Sequence, residues 1–149
     1  MSANLVPGPV EIIVRAVIIR DGRILAARDR AVNWHFLPGG HVENGEVVEA
    51  ALIRELREEL GVTATIIGFV GVVEYGYTAR GTDRQELNLV FEAENDAIAP
   101  VSREDHLEFS WLELDALPGI DLRPESLRDA VLAWIANRTP FWRPWHNAR

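Results

Sequence analysis

The stretch from Glu46 to Leu60 contains neither glycine nor proline, is dominated by strong helix formers, and places an apolar residue at every fourth position: Val48, Leu52, Leu56 and Leu60. That period specifies an amphipathic helix, and Gly61 supplies its stop, because glycine adopts the left-handed conformation that ends helices without penalty. The polar side of the same helix is more unusual. At about 100° per residue, Glu55, Glu58 and Glu59 fall within a sector of roughly 100°, with the small Ala51 among them. Like charges three and four residues apart destabilise a bare helix, so such a cluster needs compensation. A divalent cation supplies it: hard ions such as Mg²⁺ take oxygen ligands and are commonly held by few carboxylates together with substrate phosphates. Leu52, Leu56 and Leu60 would bury the helix against a sheet and hold the carboxylates on a rigid element.

The segments around this helix read as strands. Val10 to Ile19 is apolar on both faces, with Ile13, Arg15, Val17 and Ile19 on one of them, as in a buried strand. Asp21-Gly22 is a two-residue hairpin signal leading into a short strand through Ile24 and Leu25. The aromatic-rich Asn33 to Leu37 ends at Pro38-Gly39-Gly40, where a regular strand should stop and a loop begin. Ala64 to Tyr77, with interruptions expected at Gly68 and Gly71, and Gln85 to Ala93 suggest a hairpin separated by the polar loop from Ala79 to Arg84. Leu107 to Leu112 is a further strand, and Pro124 to Ala136 a second helix with proline near its first turn. Strands interleaved with two helices indicate an α/β or α+β sandwich.

A chain of 149 residues without repeats or a linker rich in glycine, serine or proline fits one domain, here 1–149, with a core of about 10–137 and an aromatic, basic tail at 138–149. The absence of cysteine removes disulfides, thiolate metal sites and cysteine nucleophiles. The first residues lack a basic n-region, and Glu11 and Arg15 break their apolar run, so neither a signal peptide nor a membrane span is expected and a cytoplasmic location is the default. A net charge of −8 opposes binding to nucleic-acid backbones, which takes a basic face. A small polyphosphate is still admissible if a metal ion stands between its charges and the carboxylates.

Gly40 and Glu46 precede Arg54-Glu55-Leu56-Arg57-Glu58-Glu59-Leu60-Gly61-Val62 at the spacing G-x5-E-x7-R-E-U-x-E-E-x-G-U, where U is aliphatic. This matches the Nudix box at every position, and the chain resembles the Nudix hydrolase family. The resemblance implies a mixed β-sheet sandwiched between helices and Mg²⁺-dependent hydrolysis, with Mn²⁺ a common substitute. The reaction implied is water attack at phosphorus on a phosphoanhydride bond of a nucleoside diphosphate linked to another moiety. It assigns Gly40, Glu55, Glu58 and Glu59 to the metal, Glu58 as the first candidate for proton acceptor beside Glu55, and Arg54 to orienting or neutralising a catalytic glutamate. Glu46 and Gly61 would support the loop–helix geometry. Glu104 or Asp105 lies where many members carry an extra acidic ligand or base, and homodimers are common in the family. The alternative is a Nudix module that binds a nucleotide-like ligand or a protein partner without cutting it.

Substrate markers after the box are missing. No proline falls between Val62 and Pro100, as the ADP-ribose group would want, and Arg80 stands where dinucleoside polyphosphate hydrolases tend to carry tyrosine, Tyr77 being nearer. A nucleoside triphosphate or nucleotide sugar remains as the substrate class. Trp34 and His35 suit either base stacking or packing, and packing is the more common use. Tyr75 and Tyr77 suit a cleft, a dimer surface or one strand face. Arg15, Arg28 and Arg84 are candidates for phosphate contact, though solvated charges are the commoner case, and Glu86 is another possible extra acidic group, though an edge-strand carboxylate is the more common explanation. The tail from Phe141 to His146 would cover the core, a neighbouring subunit or the substrate.

Overall fold

The computed structural model describes residues 8–96 and 101–145. In chain order the elements are β1 (Glu11–Val17), β2 (Ile19–Arg20), β3 (Arg23–Asp29), β4 (Gly39–His41), α1 (Val48–Leu60), β5 (Ala64–Ala79), β6 (Thr82–Asn95), β7 (Leu107–Glu113), a 3-10 turn (Leu114–Gly119), α2 (Glu125–Asn137) and β8 (Phe141–Arg143). Five strands form a mixed sheet in the order β4-β1-β6-β5-β8, and β2-β3-β7 form a second, antiparallel sheet. Within the larger sheet β1 runs parallel to β6, and β8 parallel to β5.

Strands buried on both faces need cover on both, and the two helices provide it. Leu52, Leu56 and Leu60 of α1 pack with Val14, Ala16, Ile18 and Phe91. Leu127, Ala130, Val131 and Trp134 of α2 pack with Val17, Val70, Val73 and Val90 on the other side. The expected α+β sandwich, a mixed sheet between helices, is the observed one. Among the described residues no helix is long and apolar enough to cross a membrane.

Several boundaries differ from those read in the sequence. The segment from Ala79 to Arg84 is mostly strand: Arg80 (φ 52) and Gly81 (φ 75) alone make the turn, the same left-handed pair as Asp21 (φ 53) and Gly22 (φ 75). Polar composition hid the strand because its exposed ends are held by polar partners, such as Thr78 Oγ1 donating to Asp83 at 2.8 Å. The interruptions expected at Gly68 and Gly71 are register shifts within a continuous β5, between Ile66 and Gly68 and between Phe69 and Gly71. The strand after Asp21-Gly22 runs on to Asp29, because β7 pairs along its whole length.

The chain does not go into a loop at Pro38-Gly39-Gly40. Gly39 to His41 forms β4 on the edge of β1. Gly39 permits this: its φ is +146, and a Cβ there would lie 1.9 Å from the Val14 carbonyl oxygen. The tail closes the opposite edge of the sheet. Phe141 lies over Gly71, Trp145 over Gly76, and the Trp145 N–H donates to Glu74 at 3.1 Å. Of the covers considered for the tail, the described part takes its own sheet; His146 lies outside the described residues.

Gly39→Ala should therefore destabilise the protein by at least ~2 kcal/mol in urea unfolding, through backbone strain and collision with β1. Gly119→Ala, at a glycine with open space and no positive φ, should stay within about 0.5 kcal/mol of the parent. Equal midpoints for the two variants would contradict the close approach of β4 to β1.

Candidate functional site

The loop after β4 and the start of α1 are joined by one side chain. Arg54 donates through Nε to Glu46 Oε2 at 2.7 Å and through Nη2 to Glu46 Oε1 at 3.0 Å, a bidentate pair. The same guanidinium reaches Glu55 at 3.1 Å, Glu58 at 3.3 Å and the His41 carbonyl at 3.1 Å. Glu46 also accepts the Glu43 N–H at 3.1 Å, so its carboxylate is committed to the loop. The helix accordingly begins at Val48 rather than Glu46, with Val47 at its cap and no side-chain cap bond. The Glu46 pairing holds its carboxyl below the usual range, and the Arg54 pKa is raised, mainly by Glu46. At the far end Gly61 (φ 66) donates to Arg57, and the Arg103 guanidinium lies where a Gly61 side chain would be.

The three glutamates of the acidic sector sit at different depths. Glu59 is 7% exposed, and its Oε2 is buried without a hydrogen-bond partner. Burial, with repulsion from Glu55, pushes its carboxyl up to about 8. Glu55 is also raised, chiefly by burial, and it faces Gly40 so closely that a Cβ there would lie 2.5 Å from the carboxyl carbon. Glu58 is exposed beside Arg54. Among the described residues no three acidic or histidine side chains already stand as a ligand cluster. The donor set nevertheless fits a hard divalent cation: an orphaned buried carboxylate oxygen, a second desolvated carboxylate, and a glycine that leaves the space between backbone and helix open.

Beside this site lies a cleft of ≈ 440 Å³ lined by Arg15, Trp34, Phe36, Tyr75, Tyr77, Glu86, Arg123 and Pro124. Its walls are aromatic. Tyr75 and Tyr77 stack with centroids 5.7 Å apart, and Arg123 lies over the Trp34 ring at 5.1 Å. A backbone bridge sets that rim: the His35 N–H donates to Asp121 at 2.8 Å, and the Arg123 N–H to His35 at 2.9 Å. Arg15 joins cleft and helix. Burial lowers its pKa, while Glu86, Glu59 and Glu55 pull it upward, so its charge is felt in both places.

The structure thus places Arg15, Trp34 and Tyr77 about one cleft. Arg15 is not a solvated charge, since it donates to Asn88 and Leu37 in the cleft wall, whereas Arg28 and Arg84 are surface charges paired with Glu108 and Glu11, Arg84 about half-exposed. Glu86 is not on an edge strand. β6 lies between β1 and β5, a placement set by the parallel pairing with β1, which local sequence patterns do not carry. Glu104 is near enough to repel Glu59, since the Arg103 N–H donates to the Glu59 carbonyl at 2.7 Å. Asp105 is exposed and joins the body through its carbonyl, which accepts from Arg30. Phe36 and Arg123 line the cleft without having been singled out in the sequence. The aromatic run around Trp34 hinted at the first, and nothing local marked the second.

Glu59 gives the site a pH signature. Below its ordinary value of 4.5 the carboxyl is protonated whether folded or not. Between there and about 8 the unfolded chain ionises it while the folded chain keeps the proton, so stability falls as pH rises through that window. The melting temperature in chelator should decline from pH 5 to pH 8, Glu59→Gln should flatten the decline, and Mg²⁺ should stabilise the parent more at pH 8 than at pH 5. Parallel curves for parent and variant would show that Glu59 is not the buried acid.

The family model for the NUDIX domain matches residues 11–135. The chain is 31% identical over 135 residues to the NAD-capped RNA hydrolase NudC of Pseudomonas aeruginosa, covering 86% of this chain and 45% of that protein. It is 49% identical over 63 residues to the CTP pyrophosphohydrolase of Escherichia coli, covering 39% of this chain and 46% of that protein. These matches span about half the length of the curated relatives. The MutT protein from Methanosarcina mazei Go1 shares the fold, with a TM-score of 0.76 at 24% identity over 90% of this chain and 99% of that one. With the family model covering α1, most of α2 and every box residue, the chain belongs to the Nudix hydrolase family.

Proposed function

We propose that this protein hydrolyses a phosphoanhydride bond of a nucleoside diphosphate linked to another moiety, with Mg²⁺, or Mn²⁺ in its place, held by Glu55, Glu58, Glu59 and the Gly40 carbonyl. The observation that carries the reading is the buried, unpartnered Glu59 oxygen beside Glu55 and next to an aromatic cleft. A fully apolar or ion-paired helix face would suffice for folding, whereas a buried carboxyl oxygen left without a partner is costly unless something binds it. When bound, a divalent cation supplies Lewis-acid stabilisation of the phosphates and makes water a better nucleophile.

The chain's own residues divide the remaining work. Trp34, Tyr75 and Tyr77 offer flat surfaces for a base, and Arg15 brings positive charge to the junction of cleft and helix. Glu58, tethered among the described residues only by its 3.3 Å bond to Arg54, is the carboxylate best able to reach a water and take its proton as the new O–P bond forms and the bridging P–O bond breaks. Arg54 positions Glu55 and Glu58 without touching substrate. Relatives are named for NAD-capped RNA, CTP and ADP-ribose, each of which contains a nucleoside and a phosphoanhydride. The net charge of −8 favours a small nucleotide, a nucleoside triphosphate or nucleotide sugar, over a long polyanion.

A panel of nucleoside triphosphates, nucleotide sugars and dinucleoside polyphosphates, read as phosphate release with a coupled phosphatase, should show turnover that needs Mg²⁺ or Mn²⁺ and stops with chelator. Glu58→Gln should lower kcat at least about a hundredfold while leaving the circular dichroism unchanged. Turnover like the parent's in that variant would remove Glu58 from the mechanism, and a metal-loaded, folded protein inert on the whole panel would count against the hydrolase reading.

A further inference from the structure

The metal site and aromatic walls leave one buried acid in the cleft without a task. Glu86 is 8% exposed and Asn88 is fully buried, both on the central strand β6. The Asn88 amide donates to Glu86 Oε1 at 3.1 Å, and its carbonyl oxygen accepts from Arg15 Nε at 3.3 Å. Arg15 is anchored in turn on the Leu37 carbonyl at 3.1 Å. The chain Arg15–Asn88–Glu86 therefore holds a carboxylate in place at the cleft wall. Its cross-strand neighbours are Glu11 and Tyr75. Glu11 is occupied by Arg84 at 3.1 Å and His41 at 3.5 Å, and Tyr75 contributes its ring to the cleft.

An ionised carboxylate only accepts hydrogen bonds, and its two oxygens offer about four lone-pair sites. Asn88 uses one, and the remaining capacity belongs to a group lining a cavity that aromatic rings shape for a flat ligand. Such a wall suits a base edge that presents N–H groups and opposes one that presents a carbonyl oxygen, whose lone pairs would meet a negative charge away from water. The Arg15 N–H groups left over from Asn88 and Leu37 lie on the same wall and suit the ring nitrogen or carbonyl adjoining an amino group.

We propose that Glu86, held by Asn88 and Arg15, is the specificity-determining residue of the cleft, and that the substrate's base carries an exocyclic amino group: adenine, cytosine or guanine rather than uracil, thymine or hypoxanthine. This rests on reading the cleft as the seat of the nucleoside.

Monophosphates test it, because they contain no phosphoanhydride and report binding alone. Calorimetric titration of the full chain in Mg²⁺ compares GMP and AMP with IMP, and CMP with UMP. The tightest ligand should be an amino-bearing one, bound roughly ten- to hundredfold more tightly than its partner without that amino group, as expected for a hydrogen bond to a charged group. Glu86→Gln, which replaces one acceptor oxygen by an amide donor, should bring that ratio to within about threefold. The parent comparison needs no variant, so a misfolded Glu86→Gln would not obscure the result. Tightest binding of UMP or IMP, equal binding within the pairs, or a ratio unchanged in Glu86→Gln would overturn the assignment. Discrimination among monophosphates with no phosphoanhydride cut would sink the hydrolase reading and leave this one standing. Turnover without discrimination would do the reverse.

Discussion

One guanidinium holds the site's two halves together. Arg54 lies on α1 yet its shortest bonds go to Glu46, in the loop before the helix, and another goes to the His41 carbonyl at the end of β4. Because α1 has no side-chain cap, this bidentate pair does the work that a cap would otherwise do in fixing where the helix starts relative to the loop. The remaining donors reach Glu55 and Glu58. Each contact is modest alone, but a shared, partly buried network is worth more than isolated surface pairs. Replacing Arg54 by lysine would keep a charge and lose the planar fork.

The apolar side of α1 supplies the complementary constraint. Leu52, Leu56 and Leu60 anchor the helix on β1 and β6 residues, so Glu55 and Glu59 are carried inward by the packing of their neighbours. Their raised protonation follows first from that burial, with Glu58 repelling Glu55 and Glu55 repelling Glu59. Arg15, on β1, is pulled by both these carboxylates and by Glu86. The strand therefore links the helix that carries the acids to the cleft that would seat a nucleoside, and the charge balance at the junction rests on a desolvated arginine.

The helix and its acids were legible in the sequence because both signals are local: a four-residue apolar repeat, a terminal glycine, and carboxylates at fixed offsets along one axis. The differing depths of Glu55, Glu58 and Glu59 were not, since depth depends on what β1 and β4 place opposite each residue. Both hairpins could be read, but the tightness of the Arg80-Gly81 turn was masked by polar neighbours that belong to strand ends. Glu86 looked like an edge residue because its partner strand, β1, is far away in sequence and runs parallel to it. Arg123 entered the cleft through a backbone bridge between residues 35 and 122, which no pattern within either segment encodes.

The proposed hydrolysis requires a divalent ion at the α1 carboxylates. Titrating the protein with Mn²⁺ and following free ion by electron paramagnetic resonance measures that directly, without substrate or turnover. Binding should be saturable in the parent and weakened at least about tenfold in Glu55→Gln and in Glu59→Gln, if each carboxylate is a ligand as proposed. Mn²⁺ affinity unchanged in both variants would contradict the assignment of these carboxylates to a metal.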